Sequence, residues 1–255
     1  MHSLSANNPF WTQIDKKLIQ QLVAIHKDST HLLEDYFEKP EITKSKTNLG
    51  FGWTVWSTSR AGGYITISSN FYYYNDSLIA FQINPSLPDE LPLRNKYIKW
   101  YNNYFETNQN NELTRYSFNI KSLCLPLKNS DDTLKSIHLK NELINLMIPT
   151  SNLYYYWVGG YEQSMPYNRK LFLENTNNIS FEELKFMTYS INPITRFMAI
   201  EEIIRRNYIE TKCTSKDLEW YELCFKEIPQ VKTLNGCIGR TESSKSLVYF
   251  FSQMR

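Results

Sequence analysis

Three of the four histidines are the side chains of this sequence with the most obvious capacity for acid–base or metal chemistry. His26 and His31 lie five positions apart on a segment with helical spacing, so their side chains point about 140° away from each other. They therefore do not form the i,i+4 pair that binds a metal ion. His138 lies in a leucine-rich segment, where we expect a histidine of the core or its boundary. No metal site is predicted.

Adjacent carboxylates form a second group, namely Asp89-Glu90, Glu182-Glu183 and Glu201-Glu202. Neighbouring residues on a helix diverge by about 100°, so none of these pairs makes an acid–base dyad by itself. We expect capping and surface ion pairs, including Glu201 with Arg205 and Glu202 with Arg206 on the solvent side of a helix. A dyad that the fold assembles from distant residues, as in glycosidases, leaves a hydrolase as one functional hypothesis.

Motifs for covalent catalysis and for phosphate binding are missing from the sequence, which has no GxSxG, SxxK or P-loop pattern. The nearest glycine motif, Gly236-Cys237-Ile238-Gly239, precedes Arg240 and a predicted helix. A plain strand-to-helix turn is the main interpretation. An anion held by the helix N-terminus and Arg240 is the alternative. We predict no catalytic residues and no cofactor.

The cysteines Cys124, Cys213, Cys224 and Cys237 show no CxxC spacing. Buried free thiols in a reducing compartment are the main prediction. A Cys213–Cys224 or Cys224–Cys237 disulfide in an exported protein is the alternative, and the sequence does not choose between the two pairings.

Aromatic residues are abundant, with 14 phenylalanines, 18 tyrosines and 6 tryptophans, whereas there are only 8 glycines. Two of the few glycine sites read Gly-Gly-Tyr, at 62–64 and 159–161, each close behind a tryptophan. Alternation along strands would place some of these rings on the outer face of a sheet, where Trp and Tyr serve as anchors of interfaces. A sheet covered by helices on both faces would instead absorb every ring. The predicted binding residues are Trp53, Trp56, Arg60, Tyr64, Trp157 and Tyr161.

Net charge argues against a nucleic-acid partner, because a formal charge of +2 lacks the excess that phosphate neutralisation requires. The first residues carry neither a basic region nor a long apolar segment, and no apolar run approaches the roughly 20 residues of a membrane span. A cytoplasmic protein is therefore expected, or an exported one if a signal peptide precedes this numbering.

Periodicity predicts the elements. Residues 12–37 have helical spacing, with Thr12 capping through Asp15, and a polar stretch at 41–48 predicts a loop. Alternating residues from 50 to 83 predict antiparallel strands, with a turn at 59–63 whose glycines permit positive φ and a hairpin turn at Asn75-Asp76. Additional strands are predicted at 113–125, 153–158 and 169–173, and a strand or an extended link at 230–238. Further helices are predicted at 96–106, 131–148, 180–189, 192–207, 215–227 and 242–254.

The fold class is therefore α+β, with an N-terminal helix, an antiparallel aromatic-rich meander sheet and a C-terminal helical layer. We predict one domain over residues 1–255, with a subdivision into 1–128 (helix plus sheet) and 129–255 (mainly helical) as the alternative. The leading functional hypothesis is a non-enzymatic partner-binding protein of a prokaryote, such as a toxin-immunity protein or antitoxin, which contacts another protein through its aromatic sheet. A small-ligand or carbohydrate binder, exported in one version of the hypothesis, is the rival, and a hydrolase is the third.

Overall fold

The computed structural model of the 255-residue chain describes residues 9–27, 42–86, 90–105, 116–127, 139, 141–149, 154–157, 164–235 and 238–254. They belong to two compact units. The first unit takes in Met1–Thr47 and Val55–Asn119, and the second takes in Asn48–Thr54 and Ile120–Arg255. The single-domain organisation stays a prediction.

The first unit combines two helices with most of a five-stranded sheet. The strands follow one another in chain order, β1-β2-β3-β4-β5, and the pairs β3–β4 and β4–β5 are antiparallel. The elements are α1 Pro9–Lys27, β1 Thr43–Gly50, β2 Trp53–Ala61, β3 Thr66–Tyr74, β4 Ser77–Ser86, α2 Leu91–Phe105 and β5 Tyr116–Phe118.

The core of the first unit joins inward residues of the sheet to apolar residues of both helices. Ile67 and Phe71 lie on one face of β3 at the two-residue period of a strand, and both are fully buried. Phe71 opposes Phe81 of β4, with ring centroids 6.0 Å apart. Leu18 of α1 and Tyr97 of α2 complete this cluster. Half-buried aromatic side chains packed against it are those of Trp56, Tyr64, Tyr73 and Trp100.

The predicted meander is confirmed, with one strand more than the alternation indicated. The prediction of a loop at 41–48 is wrong, because residues 43–50 form the edge strand β1. Most of its side chains are exposed, so its sequence carries none of the apolar alternation on which a strand prediction depends. The hairpin turn at Asn75 and Asp76 is confirmed, with φ of 46° and 61° in the left-handed region.

The second unit is mainly helical. Its elements are a 3₁₀ turn Ile120–Cys124, α3 Asn141–Met147, α4 Tyr167–Thr176, α5 Phe181–Met187, α6 Pro193–Arg205, α7 Tyr208–Thr211, α8 Ser215–Glu227, β6 Gln230–Asn235, β7 Ile238–Ser243 and α9 Ser244–Ser252. Strands β6 and β7 pair antiparallel as a separate two-stranded sheet.

Local capping chemistry sets the starts of several of these helices. The predicted capping box between Ser180 and Glu183 is present at α5. Asn192 accepts a hydrogen bond from the backbone N–H of Ile194 at the start of α6, whose first residue is Pro193. Helix α8 has the bounds that its spacing predicted.

Other sequence predictions for the second unit are wrong. Residues 169–173 belong to α4 and not to a strand. Arg240 lies on β7 of a hairpin, so the glycine motif does not lead directly into a helix. The predicted helical segments at 28–37 and 131–138 lie outside the described residues.

Cys124, Cys213 and Cys224 are free thiols, as the main cysteine prediction expected, but of these three only Cys224 is buried, and Cys237 lies outside the described residues. Cys224 of α8 is fully buried, and burial is the largest cause that raises the pKa of its thiol to about 12. A raised pKa keeps the group protonated until the pH approaches that value, so little thiolate is available at mildly alkaline pH.

We therefore expect iodoacetamide at mildly alkaline pH to alkylate half-buried Cys213 well before Cys224 in the folded protein. Mass spectrometry of the alkylated peptides would measure both rates, with the urea-unfolded chain as the control in which they should become similar. Equal labelling of the two cysteines in the native state would contradict the burial of Cys224.

A candidate ligand-binding cavity

The first Gly-Gly-Tyr turn serves the docking of α1 within the first unit. Fully buried Asp15 of α1 accepts hydrogen bonds from the backbone N–H groups of Gly63, at 2.6 Å, and Tyr64, at 2.9 Å. The hydroxyl of Tyr97 donates to the same carboxylate. The predicted capping role of Asp15 is therefore wrong. Helix α1 begins at Pro9, and the Asp15 carboxylate binds the turn.

Close approach, and not positive φ, is the reason for glycine at this turn. A Cβ on Gly62 would lie 2.1 Å from Oδ1 of Asp15, and one on Gly63 would lie 2.5 Å from Cβ of Trp11. Among the glycines that the structure describes, those with positive φ are Gly50 and Gly52, on either side of Phe51. The sequence interpretation of positive φ at 62 and 63 is thus replaced by a steric one.

The turn between β1 and β2, whose residues belong to the second unit, is held by the buried Arg196 and the half-buried Glu227. Arg196 of α6 donates through Nη2 to the carbonyl oxygen of Leu49, and Glu227 accepts from the backbone N–H of Phe51 at 2.8 Å. Burial lowers the pKa of Arg196 to about 10. The Phe51 ring lies 4.9 Å from this guanidinium and stacks on Trp220.

The predicted binding residues lie in both units. In the first unit Tyr64 contacts Trp11 and Tyr97 edge to face, and Arg60 donates to Gln21 at 2.8 Å. The half-buried ring of Trp56 lies 5.6 Å from the ammonium group of Lys46. In the second unit Trp53 and Trp157 are half-buried. Tyr161, with the second Gly-Gly-Tyr sequence, lies outside the described residues.

A buried hydrogen-bond network lies within the second unit. Nη1 of Arg169 donates to both carboxylate oxygens of Glu201, at 2.8 and 2.6 Å. The hydroxyl of Tyr155 donates to Oε2 of Glu201 at 2.5 Å. Burial, and next the charge of Glu201, raise the pKa of Tyr155 well above its usual range, so it remains a protonated donor.

Aromatic rings surround the guanidinium of this network. Its carbon lies 4.9 Å from the ring centroids of Tyr155 and Trp157, and 5.6 Å from that of Phe251. Such contacts attract a cation electrostatically and hold the planar Arg169 group in one orientation. Nη2 of Arg169 is buried and has no hydrogen-bond acceptor among the described residues.

A cavity of about 370 Å³ adjoins this network, and we call it the tyrosine cavity. Its volume lies within the range of about 300–1,000 Å³ that is usual for small-molecule sites. The rings of Tyr154 and Tyr156 meet edge to face in its wall, with centroids 6.3 Å apart. The cavity is lined by Tyr154, Tyr155, Tyr156, Pro166, Tyr167, Asn168, Arg169, Ile194, Met198 and Leu234.

Three separate segments position the polar side chains. The backbone N–H of Tyr155 donates to the carbonyl oxygen of Lys232 at 2.8 Å, which ties the tyrosine segment to β6. Pro166 precedes the first turn of α4, which carries Arg169. Glu201 lies on α6, whose residues 193–203 are all buried.

Comparison of the chain with protein-family models, curated proteins and solved structures finds no match. The described residues contain no group of three or more His, Cys, Asp or Glu side chains arranged to hold a metal ion. They also contain no helix with the length and apolar character of a membrane span.

Sequence reasoning missed this site because it placed its two charged residues elsewhere. Glu201 was expected on a solvent-exposed helix face beside Arg205, yet it is 3% exposed and pairs with Arg169. The predicted ion pair of Glu202 with Arg206 is present, and Glu202 also pairs with Arg205. A usable signal was the run Pro193–Ile203, which has apolar residues around the whole helix, as buried helices do.

Proposed function

We propose that this protein reversibly binds a small ring-containing ligand in the tyrosine cavity, without transforming it. The observation that carries this proposal is the buried Arg169, which lines the cavity and whose Nη2 lacks an acceptor within the described part of the chain. A buried donor without a partner costs about 1–3 kcal/mol, so an acceptor oxygen on a ligand would recover that energy.

The walls of the cavity support the same proposal. Tyrosines supply flat apolar faces together with polar edges, which suits a ring that has both faces and hydrogen-bonding groups. Ile194, Met198 and Leu234 add apolar surface, while Asn168 adds an amide that both donates and accepts. Mostly apolar walls with a few polar groups are typical of ligand sites.

Binding without chemistry is favoured by how the titratable groups are engaged. Glu201 already accepts from Arg169 and from Tyr155, which leaves it poorly placed to take a proton from a ligand. The described lining contains no histidine, cysteine, serine or threonine. The nucleophile and base of a hydrolase would therefore have to come from other residues.

The partner-binding hypothesis stays a prediction alongside this proposal. Tyr64 already packs within the first unit, between Trp11 and Tyr97, so a contact rim built on the first Gly-Gly-Tyr turn would have to use a side chain engaged in the fold. Trp53 and Trp56 are half-buried and retain part of their surface for such a contact.

Tyr167 offers a direct test, because it lines the cavity yet is 75% exposed, so its side chain contributes little to folding. We expect Tyr167→Ala to weaken binding of a single-ring ligand by about tenfold, because it removes one aromatic face on which the ligand stacks. Ligand-observed NMR with a library of single-ring compounds would find the ligand and measure its affinity.

Tyr249→Ala is the matched control, since Tyr249 is a half-exposed tyrosine of α9 that does not line the cavity. It should bind the same compound as tightly as the unmodified chain. If no compound in the library binds, or if the compounds bind both variants equally, the proposed site is wrong.

A further inference from the structure

The electrostatic balance of the tyrosine cavity restricts the charge of its ligand. Arg169 and Glu201 form an ion pair at 2.6 Å, and their side chains are only 2% and 4% exposed. The pair is therefore neutral as a unit and lies away from water. The hydroxyl of Tyr155, which stays protonated, adds no charge to it.

A second negative charge at this place would be poorly compensated. Arg169 already donates through Nη1 to both carboxylate oxygens of Glu201, so an anionic ligand would share this one cation with the Glu201 carboxylate. Two carboxylates beside one guanidinium repel each other, and the repulsion is stronger where water is excluded. A neutral oxygen can accept from Nη2 of Arg169 without this cost.

We infer that the ligand is a neutral ring compound whose carbonyl or hydroxyl oxygen accepts a hydrogen bond from Nη2 of Arg169. This inference rests on the proposed function, since it names the ligand class of the same cavity. A carboxylate or phosphate ligand of equal size is disfavoured by Glu201, which acts as a specificity-determining residue.

The ring of the ligand can pack against the face of only one of these two tyrosines at a time, because the rings of Tyr154 and Tyr156 are not parallel. Tyr154 and Tyr156 are inclined at 78°, so a flat ring cannot lie parallel to both. One face of the ligand packs on one tyrosine, and its edge meets the other tyrosine and the Asn168 amide. Both a planar carboxamide and a sugar ring satisfy this arrangement, and they share the neutral acceptor oxygen.

Matched pairs of probes test the inference. Nicotinamide and nicotinate differ in charge at nearly constant size, and glucose and glucuronate form the corresponding sugar pair. Ligand-observed NMR at neutral pH should show the neutral member of a binding pair at least about tenfold tighter than the anion. Tyr167→Ala should weaken that signal, which assigns it to the cavity. The pair that binds shows whether the ligand is a planar carboxamide or a sugar.

Glu201→Gln tests the role of the carboxylate charge, because glutamine keeps the shape of glutamate but is neutral and leaves the charge of Arg169 uncompensated. We expect this variant to prefer the anionic member of the same pair. If it does not remain folded, the two pairs on the unmodified chain decide the question. Tighter binding of the anion to the unmodified chain would overturn the inference while keeping the proposed function. Absence of binding by all four probes would overturn the inference, whereas absence throughout the wider library would overturn the proposed function as well.

Discussion

Glu201→Ala is expected to lower the free energy of unfolding by about 3–5 kcal/mol. The substitution leaves the guanidinium of Arg169 buried without its counter-charge, and it also removes the acceptor of the Tyr155 hydroxyl. Urea denaturation followed by circular dichroism would measure the change.

The neighbouring carboxylate provides the comparison. Glu202 is equally buried, but its partners Arg205 and Arg206 are 26% and 17% exposed and can turn to water when the carboxylate is lost. We therefore expect a smaller loss for Glu202→Ala, of about 1–2 kcal/mol.

A double variant distinguishes the loss of the ion-pair attraction from the cost of burying a charge without its partner. Arg169→Met combined with Glu201→Leu removes both charges and fills much of the same volume, so most of the stability should return. A Glu201→Ala loss no greater than that of Glu202→Ala would show that the Arg169–Glu201 pair is not buried as described.

Gly63→Ala is expected to lower the free energy of unfolding by about 3 kcal/mol, because an added methyl group overpacks the contact with α1. The new Cβ would lie 2.6 Å from the carbonyl oxygen and 2.7 Å from Cα of Trp11, and backbone atoms cannot turn away as a flexible side chain can. Helix α1 would have to move, which would also stretch the hydrogen bonds from the turn to Asp15. The same urea titration, followed by circular dichroism, would measure the effect.

Gly239→Ala is the matched control for this substitution. A Cβ on Gly239 would meet no atom within 4 Å, and φ at this residue is not positive. The change in stability should stay within about 0.5 kcal/mol. A Gly63→Ala protein as stable as Gly239→Ala would mean that α1 does not approach the turn as closely as the structure has it.

Signals that act over a few residues could be interpreted from the sequence. The capping box at Ser180, the cap at Asn192 and the bounds of α8 were all predictable, since each depends on residues no more than four positions apart. The alternation that produced the meander prediction is local in the same sense. Strand β1 was not predicted, because most of its side chains are exposed and its sequence therefore shows no apolar alternation.

The candidate site could not be predicted, because its polar partners are distant in sequence. Arg169 and Glu201 are 32 positions apart, and Tyr155 is 46 positions from Glu201. Which carboxylate pairs with which arginine depends on how α4 and α6 pack, and no spacing within either helix records that. The expected pairing of Glu201 with Arg205 used the right geometry for an isolated helix and failed for a buried one.

The sequence by itself determined the α+β class, the aromatic richness, the starts of helices α5, α6 and α8, and the lack of a recognised catalytic motif. The tertiary structure decided what the scarce glycines and the charged residues do. Gly62 and Gly63 make room for α1, and Arg169 and Glu201 form the neutral pair beside the tyrosine cavity. Both outcomes depend on the close approach of segments distant along the chain, where steric exclusion and desolvation act, and these forces leave no periodic trace in a single sequence.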